Sequence, residues 1–227
     1  MTKDTLEEVK KTIPNLYKNK VDKNCKTLYY PGAFNDFTTL KYFIENSMVK
    51  DFYYCDYMND ELNEQKLLDN INDQLASSDY KVTLMGLLTP EFYNQSDWES
   101  FWHRNADARS VGKIDKSFIF QFEIKKEKQK WNLYYFGTEA IKTYEILIRN
   151  KTKMDIIVTQ DHGLGCLWTT FCRGSRLERL SLRYNSLPDF LLVGENGESW
   201  DGYERLTEPF GSFGMHNHPR SLFKKIK

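Results

Sequence analysis

The residues with the clearest chemical potential in this sequence are the adjacent pair Asp161 and His162, followed by Gly163-Leu164-Gly165. A carboxylate or an imidazole at a strand end can serve as a base or hold a reacting group. Adjacent side chains leave a strand end in different directions, so a single metal ion would not easily take both. One of the two is read as a contact to the reacting group, the other as the residue that orients the loop. Gly163 and Gly165 permit close backbone approach to a ligand. Amides ahead of the Cys166–Phe171 stretch would suit an anion if they open a helix. Two further positions share this character. Asp56 ends the aromatic run Phe52-Tyr53-Tyr54-Cys55, and the turn Pro31–Asp36 follows the apolar run Thr27–Tyr30.

A different grouping of the same chemistry is a metal site. His216-x-His218 in an extended segment can present two imidazoles, and His162 can supply a third ligand, as in a metal-dependent hydrolase. A third grouping is not catalytic. Arg173, Arg176, Arg179 and Arg183 recur at helical spacing, with Leu177, Leu180 and Tyr184 on the other face. Such a stripe is a solvated face, or, with exposed aromatic residues, the surface of a protein-interaction module.

The elements that must position these residues follow from hydrophobic period. Thr27–Tyr30 reads as a strand, Pro31–Asp36 as a turn with Asp36 as N-cap, Phe37 to about Met48 as a helix, and Phe52–Cys55 as a second strand. This is an opening βαβ unit, with Tyr30, Gly32, Asp36 and Asp56 at the carboxyl ends of its strands, where open sheets hold ligands. A helix carrying Leu67, Leu68, Ile71 and Leu75 follows, then an apolar strand from Val82 to Leu88. Phe118, Phe120, Phe122 and Ile124 alternate, as do Trp131, Leu133 and Tyr135, which predicts an antiparallel hairpin around residues 117–136. Met154–Thr159 and Phe190–Val193 read as buried strands, with Tyr203–Leu206 returning against the latter. An amphipathic helix is expected over about residues 3–20, and a loop or tail over about residues 209–227. The fold class is α/β: a mixed, mostly parallel, Rossmann-like sheet of about six or seven strands with helices on both faces, plus the hairpin.

This layout resembles the Rossmann-like methyltransferases that bind S-adenosylmethionine, over Thr27–Asp56 and, more weakly, Met154–Gly165. The resemblance is carried by Gly32 for the turn, Asp56 for the ribose and Asp161 near the later strand end. It implies a nucleoside cofactor, with Tyr30, Gly32, Asp36, Asp56 and Gly163 around it and Asp161 or His162 at the reacting group. The first loop holds one glycine, where the family has a G-x-G arrangement.

Composition sets the outer limits. A chain of 227 residues is long enough for one domain with a substantial core. Lys+Arg and Asp+Glu balance at 32 each, so there is no basic excess pointing to nucleic acid. The charged first residues lack the apolar core of a signal peptide, and no apolar run reaches a membrane span, so the expected location is the cytoplasm. Cys25, Cys55, Cys166 and Cys172 form no C-x-x-C pair and are expected as reduced, buried thiols. Neither a G-x-S-x-G elbow nor a P-loop occurs. A small-molecule ligand is the expected partner.

Overall fold

The computed structural model describes residues 25–33, 37–56, 64–75, 79–88, 119–137, 140–158, 176–194, 202–207, 210–213 and 218–226. The expected N-terminal helix over residues 3–20 lies outside them. Within them the chain forms ten strands and four helices. The first half runs β1 (Thr27–Pro31), α1 (Thr38–Asn46), β2 (Asp51–Cys55), α2 (Glu64–Leu75), β3 (Lys81–Leu88), β4 (Ile119–Lys126) and β5 (Gln129–Phe136). The second half runs α3 (Ala140–Arg149), β6 (Ile156–Val158), α4 (Arg176–Arg183), β7 (Phe190–Gly194), β8 (Tyr203–Arg205), β9 (Phe210–Phe213) and β10 (His218–Lys225).

All ten strands belong to one sheet, ordered β3-β4-β5-β2-β1-β6-β7-β10-β8, with β9 paired to β10 off that path. The α/β class stands, and the sheet is mixed. The expectation of a mostly parallel sheet of six or seven strands is corrected. Five of the nine pairings are antiparallel, and the four parallel ones are confined to the central block β5-β2-β1-β6-β7. Of the antiparallel pairs, β4–β5 and β9–β10 are joined by short returns of the chain, a connection that a parallel neighbour cannot use.

The central strands read as unbroken apolar runs because both of their surfaces are covered. Leu28 and Tyr30 of β1 join one hydrophobic cluster with Phe52, Tyr54, Leu133, Tyr135, Ile156 and Val158. Tyr29 joins a second cluster with Cys55, Phe136, Ile157 and Leu191. Alternate residues of a strand point to opposite faces, so the two clusters lie on the two sides of the sheet. The first includes Leu40 and Phe43 of α1 and Leu67, Ile71 and Leu75 of α2. The second includes Ala140, Tyr144 and Leu147 of α3, with Leu180 of α4 packed against it.

Three local expectations change. Helix α1 begins at Thr38, and Phe37 stands at its N-cap position without a side-chain cap, while Asp36 lies outside the described residues. Phe37 is held by packing, stacked on Tyr54 with ring centroids 5.9 Å apart. The strand at Tyr203–Arg205 pairs with β10, not with β7. The segment from about residue 209, expected as a tail, contains β9 and β10, and β10 supplies buried Ser221, Leu222 and Phe223 to the sheet. The expected hairpin is present as β4 and β5, joined through Glu127 and Lys128, and β3 extends it at the edge with a bulge between Leu84 and Gly86.

The amino ends of the central strands are fastened together by Asp155, just ahead of β6. One carboxylate oxygen accepts the Lys26 and Thr27 amides at 2.7 and 3.0 Å, and the other lies 2.9 Å from the Lys153 ammonium. Lys153 also reaches Asp189, just before β7, at 2.6 Å. The Asp155 amide donates to the Thr27 hydroxyl, which donates to the Lys153 carbonyl. Three adjacent strands, β1, β6 and β7, thus share one ion-paired cluster. Among the described residues no helix is long and apolar enough to cross a membrane.

Candidate functional site

Within the parallel block, the five strands lie in the order third, second, first, fourth, fifth along the chain. That is the doubly wound order, and its reversal falls between β1 and β6. The crevice at such a reversal opens beyond the carboxyl ends of the strands. The described residues at that edge are Pro31, Gly32 and Ala33 after β1, Asp56 after β2, Gly137 after β5 and Val158 at the end of β6.

The structure brings two of the expected site residues to this edge. Pro31 pairs with Cys55, so the Gly32 turn and Asp56 leave neighbouring strands at the same level. Gly32 has φ +65, a left-handed conformation that favours glycine. Among the described residues nothing lies within 4 Å of where its Cβ would be, so the glycine is required by the backbone. Tyr30 is fully buried and meets Tyr54 edge-on at 5.1 Å. It therefore supports the turn from the core and does not line an open crevice.

Asp56 is half-buried, and its amide continues the ladder by donating to the Phe136 carbonyl at 3.2 Å. The carboxylate lies near Tyr135. Burial holds the Tyr135 phenol well above its ordinary range, and the negative charge of Asp56 adds to that effect. A carboxylate can accept hydrogen bonds from hydroxyl groups.

The Ala33 amide of the turn faces inwards. Ala33 donates to the Cys55 carbonyl at 3.0 Å. This amide is not aimed at a ligand phosphate, as the amides of a dinucleotide fingerprint would be. Burial pushes the Cys55 thiol up to about 12, against the lowering effect of bonds from Tyr29, Gly32 and Thr143. This thiol is neutral at physiological pH. The expectation of a buried, reduced thiol holds for Cys25 and Cys55.

Cys55, Tyr29 and Thr143 were not singled out from the sequence. The available signal was strand alternation: Tyr29 and Cys55 stand on the same face of paired strands, facing α3. Asp161, His162 and Gly163, like Asp36 and His216, lie outside the described residues. His218 begins β10, and its backbone is at the carboxyl edge of β7, because β10 runs antiparallel to β7 with Arg220 opposite Gly194. Among the described residues no group of three His, Cys, Asp or Glu residues is arranged to hold a metal ion. Arg179 and Arg183 of the expected arginine stripe are exposed. Arg183 lies over the Tyr184 ring at 5.8 Å.

The turn offers a direct check on this geometry. Gly32→Ala is expected to cost about 1–2 kcal/mol through its left-handed backbone alone. A urea midpoint that does not fall would show that the turn adopts another conformation.

No family model matches the sequence, and no curated protein matches it. Among solved structures, HI0767 of Haemophilus influenzae, a methylase by provisional assignment, is similar over 96% of this chain and 89% of its own. The identity is 9% and the TM-score 0.41, a likeness that carries no argument about function.

Proposed function

We propose that the crevice beyond β1 and β2 binds the ribose of a nucleoside cofactor, and that the protein is a methyltransferase-like enzyme of the cytoplasm. The observation that carries this reading is the placement of Asp56 at the end of the strand beside β1, next to the reversal of strand order. A ribose diol offers two hydroxyl donors, and a carboxylate has the acceptors to take both. Space at Gly32 among the described residues leaves room for the sugar to approach the backbone. The inward-facing amide of Ala33 favours a ligand held by its sugar over one held by a pyrophosphate at this turn.

S-adenosylmethionine fits these residues, and when bound it would supply an activated methyl group. In this reading Asp56 fixes the ribose and Gly32 and Gly163 allow close approach. Asp36 lies beside the cofactor in the β1 turn. Asp161 or His162, in the segment after β6, contacts the reacting group, with His162 suited to hold or move a proton near neutral pH. The substrate is a small molecule, and the chain acts as a single domain. Thermal denaturation with and without S-adenosylhomocysteine is the test. Stabilisation that depends on Asp56 supports the reading, and no shift at millimolar ligand overturns it.

A second reading is kept open by one observation. His218 starts β10 at the carboxyl edge, two strand positions across and four residues beyond the end of β6, roughly 16 Å away. A metal-dependent hydrolase would use His162, His216 and His218 there. Stoichiometric zinc in the purified protein, lost on replacing His216 and His218 by alanine, would favour it over the transferase.

A further inference from the structure

Strand β3 is one border of the sheet. It pairs with β4 on one side, and among the described residues no strand lies on the other. The two borders are built differently. On the far side β8 and β9 are three and four residues long, and β8 carries exposed Glu204 and Arg205. Short, charged edges resist pairing with another chain. β3 is eight residues long, Lys81 is its one charge, and Met85, near its middle, is 54% exposed. Its backbone is interrupted by the bulge between Leu84 and Gly86. An edge of this length and composition is a template for a further strand.

The make-up of β3 selects a strand of its own kind. Residues opposite each other in a sheet share a face. Val82 and Leu84, opposite Ile124 and Phe122, are half-buried on the face of the cluster that includes α2. Thr83 and Gly86, opposite Glu123 and Gln121, take the other face, and Met85 is the extra residue of the bulge. Antiparallel pairing with a copy, centred on Leu84, sets Thr83 against Gly86, Val82 against Leu87 and Lys81 against Leu88. No two lysines meet in this register, whereas an in-register parallel pair would place Lys81 beside Lys81. A bulge increases the local twist of its strand. The copy carries the same twist at the same distance from the centre, where a regular strand would not follow it. Gly86 has φ +155 and, among the described residues, nothing within 4 Å of where a Cβ would be, so a second backbone can approach it.

We propose that β3 is a dimer interface, paired antiparallel with β3 of a second copy about a two-fold axis at Leu84. The joint carries the cluster of Val82 and Leu84 from one copy into the other. The pairing is closed: each copy uses its one long edge, and the short strands β8 and β9 stay outermost.

The test is the mass of the protein in solution, by light scattering from micromolar to near-millimolar concentration, with variants along β3. Wild type should be a dimer at the upper end. Met85→Lys adds a like charge to each strand beside the axis, at an exposed position. It should raise the dimer dissociation constant at least about tenfold and leave the far-UV circular dichroism unchanged. Mixing Met85→Lys with Met85→Glu should restore a dimer of one copy each. Disulfides formed under mild oxidation, counted above the wild-type background, read the register. Leu84→Cys should link two chains, because facing residues of an antiparallel pair have Cα atoms about 4.5–5.5 Å apart. Val82→Cys should not, because the two copies of residue 82 would stand four residues, roughly 14 Å, apart. If Leu84→Cys does not fold, the charge-swapped mixture at Met85 carries the test alone.

A wild type that is monomeric throughout overturns the dimer and leaves the edge to a strand of another protein. A dimer that Met85→Lys does not weaken overturns β3 as the interface. Val82→Cys linking as readily as Leu84→Cys overturns the register centred on Leu84.

Discussion

Asp56→Ala should abolish most of the thermal stabilisation that S-adenosylhomocysteine confers, while leaving the ligand-free protein folded. A hydrogen bond to a charged group contributes about 1.5–3 kcal/mol. Loss of the acceptor for the diol should therefore weaken binding by roughly 10- to 100-fold. Ligand at about 100 times its Kd stabilises the folded state by about 2.7 kcal/mol, which for a chain of this size raises Tm by roughly 5–11 °C. After a hundredfold loss the same concentration would contribute about 0.4 kcal/mol, and Tm would move by about 1 °C. The free protein should tolerate the change, because the side chain is half-buried at a strand end and the backbone bond from Asp56 to Phe136 is retained. Differential scanning fluorimetry across a ligand titration reads both effects. A variant that keeps the full ligand shift would remove Asp56 from the site.

The largest loss of stability should come from the opposite end of the strands. Asp155→Ala leaves the Lys26 and Thr27 amides without their acceptor and Lys153 with Asp189 alone. Lys153 is mostly exposed, so the cost falls on the amides: leaving buried donors without their acceptor costs about 1–3 kcal/mol, or roughly 2–12 °C in Tm at this chain length. The effect has a pH signature. Burial alone would raise the Asp155 pKa. The Lys26 amide, the Lys153 ammonium and the Thr27 groups outweigh burial and hold it below the usual carboxylate value. The folded-state pKa is thus lower than the unfolded one, near 3.9. Its contribution is fully present above about pH 4 and is lost as pH falls through the lower, folded-state value. Urea midpoints measured between neutral and acid pH should therefore converge for wild type and Asp155→Asn below about pH 4. A constant gap down to low pH would show that Asp155 does not act through its charge.

The two aspartates mark where the sequence was readable. The runs Thr27–Tyr30 and Phe52–Cys55 are apolar throughout, and their pairing in parallel with Asp56 at the end followed from period and order. The alternation of Phe120, Phe122 and Ile124 against Trp131, Leu133 and Tyr135 identified the hairpin for the same reason. Asp155 was read as part of a strand. Its partners, Lys26 and Thr27, lie more than a hundred residues away, and no local pattern announces a contact at that separation. The β10 segment was harder still. His-Pro-Arg-Ser-Leu-Phe-Lys-Lys contains a proline and three basic residues and lacks clean alternation, so it read as a tail. It is a strand because β7 offers an open ladder, a long-range fact, and Pro219 is tolerated near its start. The Gly32 turn was legible as a turn, but the direction of the Ala33 amide was not, since that depends on the Cys55 carbonyl brought up by β2.

The position of β10 has a consequence for biosynthesis. This strand pairs with β7, β8 and β9, and among the described residues neither β8 nor β9 has another strand partner. Every other described element precedes it in the sequence. While a ribosome translates the stretch from Gly194 to Lys225, β7 presents an unpaired, apolar edge of the kind that recruits other strands. At about 5–20 residues per second that window lasts roughly 2–6 s. Soluble yield should therefore depend on how quickly the last strand is delivered, and on whether anything fused behind it slows its docking.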